Sequence, residues 1–147
     1  MNSQEAFRHR PGRSVVVTEF MDLSTLATEP FCHLTTTGRG SGRPHTIELW
    51  FALHDARVYL LSGGGERSDW VKNLQREPAV QVRIGGRRFT GRARVVDGAA
   101  EEDELARRVV TNKYQPGYAG DLSGWREASL PVAIDLEHRP RSDFEFV

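Results

Sequence analysis

The sequence predicts a mainly β fold, a small antiparallel barrel with helices packed outside it. Three observations carry that expectation. Apolar residues alternate with period two over several short stretches rich in β-branched and aromatic side chains. Short Gly- or Asp-containing turns join neighbouring stretches into hairpins of a size that most simply closes on itself. The helical stretches fall between hairpins, without the regular β-α-β alternation of a parallel sheet, which argues against a Rossmann domain. The strands are too few for an immunoglobulin sandwich.

Each element follows from local chemistry. Residues 1–13 are polar, contain Pro11 and Gly12, and read as a loose tail ahead of one domain spanning 14–147. Residues 18–28 form a short helix with Phe20, Leu23, Leu26 and Ala27 as its stripe, ended by Pro30. Phe31 to Thr37 is a strand, and Thr37 to Pro44 a Gly-rich connection. From His45 to Leu53, Ile47, Leu49, Phe51 and Leu53 point one way and Thr46, Glu48, Trp50 and Ala52 the other. His54-Asp55-Ala56 turns the chain into a returning strand, Arg57 to Ser62.

Gly63-Gly64-Gly65 breaks the pattern. A helix of about Ser68 to Glu77 follows, capped by Ser68, with Asp69 at its positive end and Pro78 beyond it. Val80, Val82 and Ile84 alternate, Gly85-Gly86 turns, and Phe89, Gly91, Ala93 and Val95 oppose Arg88, Thr90, Arg92 and Arg94. A second long helix covers roughly Ala99 to Asn112, with Asp103–Arg107 and Glu104–Arg108 spaced for pairing. Lys113 to Gly124 reads as irregular. Leu130 to Glu137 is the last strand, with Val132, Ile134 and Leu136 facing inward.

Composition narrows the function. The chain has 147 residues, enough for one core, and 20 basic side chains balance 20 acidic ones, so no global attraction to nucleic acid or acidic membrane is indicated. Cys32 is the single cysteine, which excludes an internal disulfide and fits a reducing cytoplasm. No stretch approaches the roughly 20 apolar residues of a membrane helix. The five histidines show no metal spacing, so no metal is expected, and no Ser sits in a nucleophile elbow.

Four stretches carry candidate chemistry. In Thr35 to His45, three glycines in five positions let the backbone approach an anion, with Arg39, Arg43, Ser41 and the threonines as donors. An exposed hairpin loop with solubilising arginines explains the same residues. In Ser62 to Leu74, a Gly-rich strand end runs into a helix, and Arg67 and Ser68 are placed to grip a phosphate. An ordinary strand-to-helix turn is the alternative, and Asp69 favours it, since a carboxylate competes with an anion for that helix end. Arg88, Arg92 and Arg94 share one strand face, which reads better as solvated than as an RNA platform because interleaved aromatics are missing. Tyr114, Tyr118 and Trp125 lie in a Gly/Pro segment suited to one wall of a substrate pocket, or to covering the barrel core. Two anion loops without an acid-base set point to a cofactor that carries the chemistry itself.

Those loops also carry a resemblance. Thr35 to Gly42, then Trp50, then Gly63-Gly64 to Trp70-x-x-Asn73-Leu74, then Pro78, resemble the deazaflavin-dependent nitroreductase family, within the flavin-binding split-barrel group that includes pyridoxamine phosphate oxidases. The similarity covers about Phe31 to Val96, with a looser echo to Leu136. It implies a six-stranded antiparallel split β-barrel, a homodimeric habit by family analogy, and a deazaflavin of the coenzyme F420 type. By the same resemblance, Thr37, Gly38, Arg39, Ser41 and Gly42 hold the cofactor's tail. Ile47, Glu48, Leu49 and Trp50 lie along its ring and Ser62, Gly63 and Gly64 beneath it. Arg67 stands in for a basic phosphate ligand, and Trp70 and Asn73 support the helix at the site. His45 stands where deazaflavin-type members often carry Arg, and the loop from Gly65 to Trp70 is short, so FMN remains a second cofactor candidate. The implied activity is hydride transfer from reduced deazaflavin to a small electron-poor quinone or nitro compound. An FMN-dependent oxidase or reductase, a non-enzymatic cofactor-binding protein and a nucleic-acid-binding barrel are the competing readings.

Overall fold

A strand that changes sheet edges within two residues organises this molecule. The computed structural model describes residues 23–137. The expected tail 1–13 and most of the expected helix 18–28 lie outside the described residues, and of that helix residues 23–26 are helical. Residues 29–137 form one compact unit, which holds all the elements below.

Seven strands make a single antiparallel sheet: β1 (Cys32–Thr37), β2 (Pro44–Leu49), β3 (Ala52–His54), β4 (Arg57–Ser62), β5 (Ala79–Ile84), β6 (Arg87–Val95) and β7 (Leu130–Leu136). Their order is β2-β1-β5-β6-β7-β4-β3. The two edge strands, β2 and β3, are consecutive in the chain, separated by Trp50 and Phe51 alone. Three Cα steps span at most about 11 Å, so the sheet's opposite edges must meet there. The sheet is therefore curled into a barrel that is split at this crossing.

The expected six strands become seven for this reason. His45 to Leu53 reads as one strand in sequence, but the pairing divides it. Ile47 lies opposite Leu34 of β1, whereas Ala52 lies opposite Tyr59 of β4. The alternation fails at the crossing, where Phe51 and Ala52 are both buried.

Register separates an inner from an outer face. Leu34, Val82 and Phe89 are cross-strand neighbours on one side, as are Ala93, Ile134 and Val58. These fill the barrel. On the other side, Tyr59 and Ala133 join Ala52, Leu61, Ala106 and Val110 in a second buried cluster. There the helix Ala100–Tyr114 lies on the barrel's outside. This explains why β4 and β7 are buried on both faces, Ala133 included, where the sequence suggested one inward face of Val132, Ile134 and Leu136.

Three helices flank the sheet: α1 (Asp69–Arg76), α2 (Ala100–Tyr114) and α3 (Ser123–Ala128). α2 extends two residues beyond the expected Asn112. The segment expected to be irregular after it contains a 3-10 turn, Gln115–Gly117, and then α3. Gln115 orders the connection, donating to Gly120 O (2.8 Å) and accepting from Leu122 N (2.9 Å). Arg107 donates to the carbonyls of Arg126, Glu127 and Ser129 at the end of α3, and its Nε is braced by Asp103 at 2.6 Å. The other expected pair is replaced: Glu104 pairs with Arg126 rather than Arg108.

The arginine strand also divides. Arg88 and Arg92 are exposed as expected. Arg94 is not simply solvated: it pairs with Glu102 (2.9 Å) and Asp135 (2.8 Å). Asp135 also takes Arg57 (2.5 Å), and Glu102 accepts from the Tyr59 hydroxyl (2.7 Å). Both carboxyls are held below their ordinary range, first by hydrogen bonds from Arg94. No helix among the described residues is long and apolar enough to cross a membrane.

Candidate active site

The first Gly-rich loop folds against α1. Gly38 N donates to Arg43 O (2.7 Å) and Gly42 N to Gly38 O (2.8 Å), closing the turn between β1 and β2. A Cβ at Gly38 would lie 2.6 Å from His45 Nε2 and 2.7 Å from Ser41 Oγ, so any side chain there would have to displace both. Ser41 Oγ accepts from Arg43 N at 3.1 Å.

Asn73, buried on the second turn of α1, fastens this loop. Its Oδ1 accepts from the backbone N–H of Arg39 (3.1 Å) and from Arg39 Nη1 (2.8 Å). Its Nδ2 donates to Thr36 Oγ1 (3.1 Å). Arg39 Nη2 reaches Asp69 Oδ1 at 3.0 Å. The guanidinium thus spans the gap between loop and helix.

The second loop is also internally tied. Ser62 Oγ donates to Gly65 O (3.0 Å) and shares a hydrogen bond with Ser68 Oγ (2.9 Å). Ser68 occupies the expected N-cap position of α1, but its hydroxyl is turned to Ser62 and no side chain caps the helix. The first turn therefore keeps main-chain donors for something else.

Loop, helix and β2 enclose a groove of about 750 Å³. Seven of the expected cofactor residues line it: Gly38, Arg39, Ser41, Ile47, Ser68, Trp70 and Asn73. Thr36, Gly40, His45 and Asp69 line it as well and were not among the expected set. Period two was the signal for Thr36, since it shares the inward side of β1 with Leu34, whereas Thr37 takes the alternate face.

The other expected residues lie elsewhere. Glu48 is on the outer face beside His33 (3.4 Å), and Leu49 pairs with Cys32. Gly42 is at the tip of the loop, and Arg67 is exposed. Ser62 is buried beneath the second loop. A Cβ at Gly63 would lie 3.2 Å from the Trp125 indole nitrogen, and one at Gly64 would lie 2.6 Å from Ser68 Oγ. These two glycines therefore connect the groove to an aromatic cluster.

Trp50 is the centre of that cluster. Tyr114 stacks on it (4.2 Å between centroids, 3° between planes), and Tyr118 and Trp125 meet it edge-on at 5.8 and 5.6 Å. The expected substrate residues are thus gathered, but around Trp50 rather than in the lining of the groove. Tyr118 is 47% exposed. Tyr114 is anchored instead: its hydroxyl contacts Pro30 O (2.8 Å), Phe51 N (3.0 Å) and Phe51 O (3.2 Å). Lys113 Nζ lies 3.6 Å over the Phe51 ring and donates to Glu29 O (2.7 Å) and Phe51 O (3.0 Å). Burial pulls Lys113 down to about 8 and pushes Tyr114 up to about 12.

The groove fits a flat cofactor with an anionic tail. Its volume falls within the ordinary range of small-molecule sites. Ile47 and Trp70 offer apolar surface, while the Gly38–Ser41 turn, Ser68 and the uncapped start of α1 offer donors for an anion.

Known structures share this architecture. An F420-H2 dependent reductase is 23% identical, with a TM-score of 0.58 over 74% of this chain and 94% of that one. A pyridoxamine 5′-phosphate oxidase-type protein from Listeria innocua is 20% identical, with a TM-score of 0.60 over 82% and 94%. A chain solved as a domain-swapped dimer is 22% identical, with a TM-score of 0.59 over 87% and 100%. The family model for F420H2-dependent quinone reductases matches residues 12–137. With that match over most of its length, the chain belongs to the F420H2-dependent quinone reductase family, and is an oxidoreductase whose cofactor is the deazaflavin F420.

Proposed function

We propose that this protein binds reduced F420 in the groove between the Gly38–Ser41 turn, β2 and α1, and passes its hydride to a small electron-poor acceptor, a quinone or a nitro compound. The observation that supports this most is the groove itself, which joins a Gly-rich anion turn and an uncapped helix start to the apolar surface of Ile47 and Trp70. When bound, the deazaflavin supplies the hydride.

The chain's own residues bind and orient. Gly38 lets the loop backbone approach the tail, and Ser41 and Ser68 add hydroxyl donors. Asn73 holds the loop on α1 through two hydrogen bonds from Arg39 and ties β1 to the same helix through a third, to Thr36. Trp50, fixed against Tyr114, backs the substrate side, and Tyr118 is the accessible ring there. Trp125 sits over Gly63 and closes the cluster above the second loop.

In this reading the protein works as a homodimer, a habit suggested by the likeness to a chain solved as a domain-swapped dimer. A cytoplasmic setting suits its one cysteine, Cys32, which is buried and free.

Side-by-side titration with F420 and FMN tests the cofactor site, followed by reoxidation of F420H2 by a benzoquinone and by a nitroimidazole. Saturable F420 binding, weaker FMN binding and acceptor-dependent recovery of the oxidised cofactor's visible absorbance are expected. Failure of both acceptor classes to reoxidise the bound cofactor would overturn the assigned reaction.

A further inference from the structure

We propose that Asp69 is a built-in competitor of the cofactor's anionic tail, occupying Arg39 until the tail replaces it. This rests on the reading that the tail lies in the groove described above.

Among the residues that line the groove, Arg39 is the one fixed cation and Asp69 the one carboxylate. They are joined to each other. Asp69 Oδ1 accepts from Arg39 Nη2 at 3.0 Å, and the Asp69 carbonyl accepts from Nη1 at 3.4 Å. The groove thus carries no net fixed charge toward an incoming anion. The Asp69 carboxylate also stands at the first residue of α1, where it takes the favourable end of the helix dipole itself.

The two partners are not equally committed. The Asp69 side chain is 85% exposed and has one charged partner. Arg39 is 38% exposed and keeps a second hold through Asn73, at 2.8 Å from Nη1 and 3.1 Å from its own backbone N–H. An arriving phosphate can take Nη2 while Asn73 retains Nη1. Asp69 then turns into solvent, where hydration compensates its lost ion pair. Binding is therefore an exchange of one anion for another on the same donor. A tail that brings more negative charge wins that exchange more readily, because charge-assisted hydrogen bonds are stronger than neutral ones. Asp69 in this way sets how tightly, and with what charge, a ligand must bind.

The test is F420 affinity, read by quenching of tryptophan fluorescence at low and high salt, in the full chain and three variants. Asp69→Asn removes the competing charge and should tighten binding by about two- to fivefold at low salt, the range of an exposed ion pair. That gain should shrink at high salt. Glu66→Gln, in the exposed turn outside the groove lining, should leave affinity unchanged at both salts. Ile47→Trp fills the groove and should abolish binding. If Asp69→Asn binds no tighter while Ile47→Trp is blocked, the competitor role is overturned and the groove reading stands. If Ile47→Trp binds normally, the groove reading falls and the competitor role falls with it.

Discussion

The Tyr114 hydroxyl accepts from the Phe51 N–H at 3.0 Å and lies 2.8 Å from Pro30 O, so the end of α2 ties the residue at the barrel's split to the chain entering β1. Phe51 cannot use a sheet partner for this N–H, because it sits between the two edge strands. Tyr114→Phe keeps the ring stacked on Trp50 but leaves that N–H unpaired in a half-buried place. A loss of about 1–3 kcal/mol in urea unfolding is expected. An unchanged unfolding midpoint would show that water replaces the hydroxyl fully.

Tyr118 should behave differently. Its ring is 47% exposed and touches Trp50 only edge-on. Tyr118→Ala should therefore alter stability by no more than about 0.5 kcal/mol. On the proposed function, its loss should raise KM for aromatic acceptors and leave F420 affinity near normal. Steady-state kinetics beside thermal melts separate this from simple core cover, which would lower the melting temperature and leave KM alone.

Arg94→Ala should weaken the fold without touching the cofactor. Arg94 separates Glu102 and Asp135, and its loss leaves those carboxylates short of their main partner. Both have depressed native values, so their contribution is present above the ordinary carboxyl range and is lost as pH falls through the native values. The variant should lose about 1–3 kcal/mol at neutral pH, and its acid unfolding should begin at higher pH. Acid titrations of ellipticity with parallel F420 binding at pH 7 check both halves of this expectation.

Alkaline stability should reflect three groups around β1 and the split. Cys32 is pushed up to about 12 by burial and Tyr114 likewise to about 12, while Lys113 is pulled down to about 8. Cys32 and Tyr114 ionise first in the unfolded chain, so stability falls above about pH 9 and 10 respectively. Lys113 acts oppositely: the native state sheds its proton first, so stability rises between about pH 8 and 10.5. Wild type should gain stability from about pH 8 to 9 and then stay nearly level to about pH 10, whereas Cys32→Ala, relieved of the thiol, should keep gaining there. Parallel pH curves for the two proteins would contradict the assignment to Cys32.

The division between sequence and tertiary structure runs through particular residues. Local pattern was sufficient for most elements: period two in Val80, Val82 and Ile84 set one face of β5, and Ser68 to Pro78 marked α1 at both ends. The two Gly-rich loops, Trp50 and the Trp70-x-x-Asn73-Leu74 pattern carried a resemblance to the deazaflavin-dependent nitroreductase family, and it was that resemblance, not the loops' composition, that implied the cofactor. The break at Trp50-Phe51 was not legible, since alternation in one strand does not state which neighbour each half pairs with. Nor was the commitment of Arg39 to Asn73 and Asp69, which are 34 and 30 residues away. The same holds for Arg94, whose partner Asp135 is 41 residues distant. A side chain's type and local period decide which face it takes. What it meets on that face depends on long-range register and helix docking, and those are settled only when the barrel closes and buries its apolar faces together.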